Sequence, residues 1–212
     1  MKKKILVACL CVALAVLTIA GTMLAYLTAN DQVVNTFTVG NVQIKLDEAK
    51  ANADGTLVAN ADRVNANSYK LIPGHTYNKD PMVTVLKGSE ESYIKMTVTF
   101  TKAAQLDAIF APDGATLTSI FNGYDSTNWT AKGNTKDTDA NTRTYEFWYK
   151  ETVAAPDSNV ELDALFDSIT VPGSITNTQL ATIANMTITV NAYAIQADGF
   201  ANAEAAWAAD IA

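Results

Sequence analysis

From Tyr93 to Phe100 the chain alternates without a break, Ile94, Met96, Val98 and Phe100 on one side and Lys95, Thr97 and Thr99 on the other. Side chains point to opposite faces of a strand at a period of two, so this run fits a sheet with one buried and one solvated face and fits no helix. The same period recurs in Asn41–Leu46, where Val42, Ile44 and Leu46 share a face, and in Tyr145, Phe147 and Tyr149 set against Glu146, Trp148 and Lys150. It recurs again in Met186, Ile188, Val190, Ala192 and Ala194, with Thr187, Thr189 and Asn191 outward. Shorter candidate strands are 81–86, 116–121, 126–132 and 168–171, which brings the expected number to about eight or nine.

Turn chemistry separates these runs. Pro73-Gly74, Lys87-Gly88-Ser89, Pro112-Asp113-Gly114, Asn122-Gly123 and Pro172-Gly173 each fall between alternating segments. Three short helices are expected: 103–110, with Leu106, Ile109 and Phe110 at helical spacing; 177–184, capped by Asn177 or Thr178; and 202–208, which places Trp207 back on the body. Two polar stretches, 48–67 and 133–142, read as exposed loops. Strand number, the lack of strand–helix alternation and the long crossovers predict an all-β fold, a jelly-roll-type antiparallel β-sandwich with a few short connecting helices.

The N-terminus adds an export signal. Lys2, Lys3 and Lys4 precede an apolar run from Ile5 to Ala20, and Gly21, Thr22 and Ala25 supply small residues before Tyr26. A signal helix is expected over 1–25, with cleavage between Ala25 and Tyr26 and one domain over 26–212. Uncut, the same run is long enough to anchor the chain in a bilayer. Both cysteines, Cys9 and Cys11, lie inside the signal, so the mature chain has no disulfide framework. Removing the signal leaves 12 basic against 22 acidic residues, a net charge of −10. With no basic stripe left, nucleic acid is not an expected partner; the membrane is expected to be met only through the signal before cleavage.

Sites for chemistry are sparse. A zinc peptidase needs two or three histidines and a glutamate base, and the chain has one histidine, His75, in a turn after Pro73-Gly74. Serine or cysteine nucleophile mechanisms would need that same imidazole. The carboxylates Glu90, Glu91 and Asp157 read as solvated surface acids. Asp137, Asp139 and Asn141 have the spacing that opens a calcium loop, but Thr142 replaces the turn glycine and Trp148 the closing bidentate acid, so a hairpin turn is the simpler reading. No catalytic residue and no cofactor is expected.

Several words of the chain resemble a known family. The block 21–28, Gly-Thr-Met-Leu-Ala-Tyr-Leu-Thr, then 35–44, Asn-Thr-Phe-Thr-Val-Gly-Asn-Val-Gln-Ile, is similar to the N-terminal signature of TasA/camelysin-type exported proteins of Gram-positive bacteria. Pro73-Gly74, Lys79-Asp80-Pro81-Met82-Val83-Thr84-Val85, Gly88-Ser89 with Tyr93-Ile94-Lys95, and 192–197 before Trp207 follow in order. The resemblance implies processing by a SipW-class signal peptidase, a jelly-roll fold and an extracellular or cell-surface role as a biofilm-matrix fibre subunit. It further implies a homopolymer, built when the segment 26–39 is donated as a strand to the next copy, and leaves room for a second matrix protein. Thr36, Thr38 and Val39 have the β-branched character such a strand needs, and Phe37 would anchor it. Two alternatives stand beside this reading: the metallo-endopeptidase activity described for camelysin-like members, and a monomeric adhesin using Trp129, Trp148 or Tyr149.

Overall fold

The computed structural model describes residues 41–110 and 121–209. The strands are β1 (Ile44–Asp47), β2 (Thr76–Asn78), β3 (Met82–Val85), β4 (Ser89–Thr101), β5 (Trp129–Asp137), β6 (Thr142–Tyr149), β7 (Val153–Ala155), β8 (Val160–Glu161), β9 (Ser168–Thr170) and β10 (Ile188–Gln196). The helices are short: α1 (Ala103–Phe110), α2 (Asn177–Thr182) and α3 (Ala203–Ala209). Every pairing among these strands is antiparallel, and the fold is all-β.

β4 is the axis of the larger sheet. Its 13 residues pair with β10 on one side and β6 on the other, β6 pairs with β5, and β7 adds to the start of β4. The alternation of the sequence becomes a burial pattern here: Ile94, Met96 and Val98 are fully buried and Phe100 nearly so. In register across from them, Phe147 and Tyr145 of β6 face the same side, where Phe121 stacks on Phe166 at 4.4 Å and meets Tyr145 edge-on at 5.3 Å. Burying one side chain of this size contributes about 1.5–3 kcal/mol. Val83 and Val85 of β3 enter the same cluster, so the three-stranded sheet β1-β3-β8 shares this core. The ribbon β2-β9 carries a second cluster built from Tyr77, Val171, Ile175 and Ile183.

The chain passes between the two larger sheets at one corner. β3 runs into β4 through Leu86–Gly88 and β7 into β8 beside it; the Gly88 amide donates to the Ala155 carbonyl at 2.7 Å, and the Lys87 amide to Asn159 Oδ1 at 2.9 Å. Gly88 sits at φ +85°, a conformation that costs glycine nothing and other residues strain.

Several expectations need correction. The stretch 48–67 holds no strand or helix and is exposed over much of its length, as expected, but it is not free: Glu48 and Gly55 are buried and the segment is pinned by charge. Arg63 donates through Nε to Asp47 Oδ1 at 2.5 Å, through Nη1 to Asp80 Oδ2 at 2.8 Å and through Nη2 to both main-chain carbonyls. Burial would raise the Asp47 carboxyl, but hydrogen bonds and charge from Lys45 and Arg63 outweigh it and hold the group below the usual carboxylate range. Residues 133–137 belong to β5 rather than to a link. The cap of α2 is Thr176, whose hydroxyl accepts from the Gln179 amide while Gln179 reaches back to the Thr176 amide, a capping box one residue earlier than expected. The strands β2, β7 and β8 have no alternation long enough to read. The candidate strand 116–121 lies outside the described residues except for Phe121, which is buried but not in a strand.

Candidate assembly edge

The larger sheet ends in β10 on one side and β5 on the other, and the two edges differ in chemistry. β10 reads Ile-Thr-Val-Asn-Ala-Tyr-Ala-Ile-Gln, with no charge, no proline and no glycine. It pairs only with β4 among the described strands, so its second side presents main-chain N–H and C=O groups with no ladder partner there. Its core-facing row is half-buried, whereas the residues directly opposite on β4 are closed off: Val190 faces Val98, Ala192 faces Met96 and Ala194 faces Ile94.

β1, an edge of the smaller sheet, lies against β10. Ile44 and Leu46 of β1 and Ile188, Val190, Ala192 and Ala194 of β10 are all partly buried and packed on the edge of the main core. The two open edges therefore flank a seam of apolar side chains that the described residues cover incompletely. Such a seam can take an extended segment whose main chain continues a ladder and whose alternate side chains pack on its apolar row.

β5 is built differently. A bulge places Lys132 between the Ala131–Phe147 and Gly133–Glu146 pairs, and Gly133 adopts φ +119° to make it. Beyond Trp129 every residue of the strand is exposed. Its core-facing row turns polar, with Asn134 opposite Tyr145 and Lys136 opposite Arg143. Asp107 of α1 accepts from Lys136 at 2.7 Å and from Arg143 at 2.5 Å. Burial would raise that carboxyl, yet the two cations outweigh it and hold it low. Burial pushes the neighbouring Tyr145 hydroxyl up to about 12, Arg143 pulling it down and Asp107 adding to the rise.

α3 packs on one end of the outer face of the same sheet, around Lys95 and Trp148. Lys95 Nζ lies 4.2 Å from the Trp207 ring and 5.2 Å from the Tyr193 ring, and Lys132 Nζ lies 4.0 Å from the Trp148 ring while pairing with Glu204. Trp207 does pack back on the body, as its spacing in the sequence suggested.

The sequence-derived site residues are scattered. Ala25 and Tyr26, with Thr36, Phe37, Thr38 and Val39, lie outside the described residues. Asp137 Oδ1 accepts from the amides of Asp139 and Ala140, both at 2.9 Å, and Asn141, at φ +51°, accepts at Oδ1 from the Ala104 amide and donates from Nδ2 to Gln105 Oε1. These residues form the β5–β6 hairpin turn and a tie to α1. Among the described residues no three His, Cys, Asp or Glu side chains gather as metal ligands, and His75 is exposed. Trp129 is a core residue, donating from Nε1 to the Asp163 carbonyl at 3.1 Å and packed edge-on against Tyr149. The edge role of β10 escaped sequence reasoning, because an apolar alternating run reads alike at the centre and at the rim; the bulge of β5 left one trace, Gly133 inside a polar strand.

No family model, curated protein or solved structure matches the chain.

Proposed function

We propose that this chain is a secreted structural subunit of an extracellular-matrix fibre, with its strands wound as a jelly-roll sandwich. The signal is removed between Ala25 and Tyr26 by a signal peptidase of the SipW class. The freed segment 26–39 of one copy then enters the seam between β1 and β10 of the next, with Thr36, Phe37, Thr38 and Val39 supplying the strand and its anchor. The observation that carries this reading is the uncharged, half-buried apolar row of β10 beside β1, an edge left without the charges that keep such strands apart. The N-terminal blocks similar to TasA/camelysin-type proteins support it from the sequence side. Donation from each copy to the next does not close on itself, so it propagates as a filament. The subunit needs no cofactor for this.

The test is electron microscopy of the chain starting at Tyr26 beside a chain starting at Gly40. Filaments from the first and none from the second are expected; equal behaviour of the two rejects strand donation. Sequencing the N-terminus of culture-supernatant protein checks the Ala25–Tyr26 cut.

A further inference from the structure

We propose that Lys79 and Asn67 become joined by an isopeptide bond within the chain, with Glu48 as the proton carrier. The three side chains form one hydrogen-bonded cluster between the 48–67 segment and the start of β3. Lys79 Nζ donates to Glu48 Oε2 at 2.5 Å, and Asn67 Nδ2 donates to Glu48 Oε1 at 2.9 Å. Lysine and glutamate are almost fully withdrawn from water, their side chains 9% and 7% exposed. Asn67 is fixed on its other side too: its Oδ1 accepts from the Ala51 amide at 2.9 Å, and Nδ2 also donates to the Ala49 carbonyl.

This is the equipment for acyl transfer. A desolvated lysine amine is a nucleophile once its proton has gone, and a carboxylate in contact with it is the base that takes that proton. A backbone amide already on Oδ1 stabilises the charge that develops there. The remaining requirement is approach of Nζ to the Asn67 carbonyl carbon within about 3–3.5 Å, and one carboxylate holding both groups restricts them to that neighbourhood.

The bookkeeping of the step closes. Glu48 takes one proton from the Lys79 ammonium. The amine lone pair forms the Nζ–Cγ bond as the carbonyl π pair moves to Oδ1, facing the Ala51 amide. Glu48 passes its proton to Nδ2 and accepts one from Nζ; the carbonyl re-forms and the Cγ–Nδ2 pair departs with ammonia. The product is a secondary amide and a protonated Glu48. Nothing is oxidised or reduced and no co-reactant is required. The reaction also removes a buried ion pair, whose desolvation opposes folding, and replaces it with neutral hydrogen-bonded groups. Its effect is to staple the end of the charged segment 48–67 to the link between β2 and β3.

Mass spectrometry of the full secreted chain decides it. The expected result is a mass lower by one ammonia, with a tryptic species in which peptide 64–70 is attached through Asn67 to Lys79 of peptide 71–87, left uncut after Lys79. The Glu48→Gln variant, which keeps hydrogen-bonding capacity but cannot take the proton, should carry the full mass. Asn67→Asp should instead lose one water. Unlinked 64–70 from the folded native chain overturns the proposal. So does an ammonia loss that persists in Lys79→Arg, because Asn67-Ser68 can lose ammonia by closing on its own backbone.

Discussion

The two rims of the five-stranded sheet solve the same physical problem in opposite ways. β5 ends its sheet with a bulge, a glycine and two lysines, Lys132 and Lys136, features that twist a strand and load it with charge so that no other strand can pair. β10 has none of these, and its apolar row is only half-covered. An edge is a liability for a monomer and a resource for a polymer. The contrast teaches that protection on one side of a sheet makes the lack of it on the other informative.

The largest expected effect is on assembly. A charge set into the β10 seam by Ala192→Lys has to be desolvated by an incoming strand, at about 3 kcal/mol, so the concentration needed for filaments should rise more than about a hundredfold. Thr135→Lys on β5 should leave it unchanged. Sedimentation and electron microscopy read both, with circular dichroism to show that the variants fold; filaments from Ala192→Lys at native concentration would break the contrast.

Next come two identical substitutions at directly opposed positions. Val98 is fully buried and Val190, its partner in register, is half-buried. In the isolated subunit, Val98→Ala should cost about 2–3 kcal/mol, the transfer of two methyl groups plus the cavity. Val190→Ala should cost about 1 kcal/mol or less, because part of its surface already meets water. Urea denaturation of a chain starting at Gly40 measures both. In filaments the gap should narrow, since an added strand would cover Val190.

Acid should separate the rims further. Asp107 is held low by Lys136 and Arg143 against the opposing effect of burial, so its folded value lies beneath the unfolded value near 3.9. Its contribution is therefore fully present above that value and lost as pH falls through the folded one. Asp47, held low by Lys45 and Arg63, acts in the same sense on β1. β10 has no acid or base from Ile188 to Gln196 except the phenol of Tyr193. Asp107→Asn should cost about 1–2 kcal/mol at neutral pH, because it leaves Arg143 poorly matched, and should flatten the fall in stability below about pH 4. An unchanged acid profile in this variant would mean that the β5 rim is held by packing alone.

The strands that carry the core were legible in the sequence because period-two alternation is a direct image of a half-buried sheet. Ile94 to Phe100 and Tyr145 to Tyr149 fall in strands with the expected inward faces. Three kinds of feature were hidden. The strands β2, β7 and β8 have two or three residues each and hold their places through partners distant in the chain. The segment 48–67 is held by ion pairs whose members, Asp47, Glu48, Arg63, Lys79 and Asp80, look like ordinary surface charges until the topology brings them together. The status of β10 as a rim depends on strand order in the sheet, which no local pattern encodes. The cluster of Glu48, Asn67 and Lys79 was invisible for the same reason: its members are separated by loops and carry no motif.

The smallest effect tests whether the charge on β5 or its shape does the protecting. Lys132 makes a cation–π contact with Trp148 at 4.0 Å and an ion pair with Glu204 at 3.1 Å. The cation–π contact contributes about 0.5–1 kcal/mol, and the ion pair, fully exposed on its Glu204 side, is screened by salt. Lys132→Ala should therefore lower stability by about that much, less at high ionic strength, as thermal unfolding at two salt concentrations will measure. The bulge itself should survive, since it is set by the glycine at φ +119° and by the register on either side. If shape is the protection, Lys132→Ala stays as resistant to edge pairing as the native chain. If charge is, the variant acquires a second adhesive rim, and its filaments should thicken by lateral association that the native chain does not show.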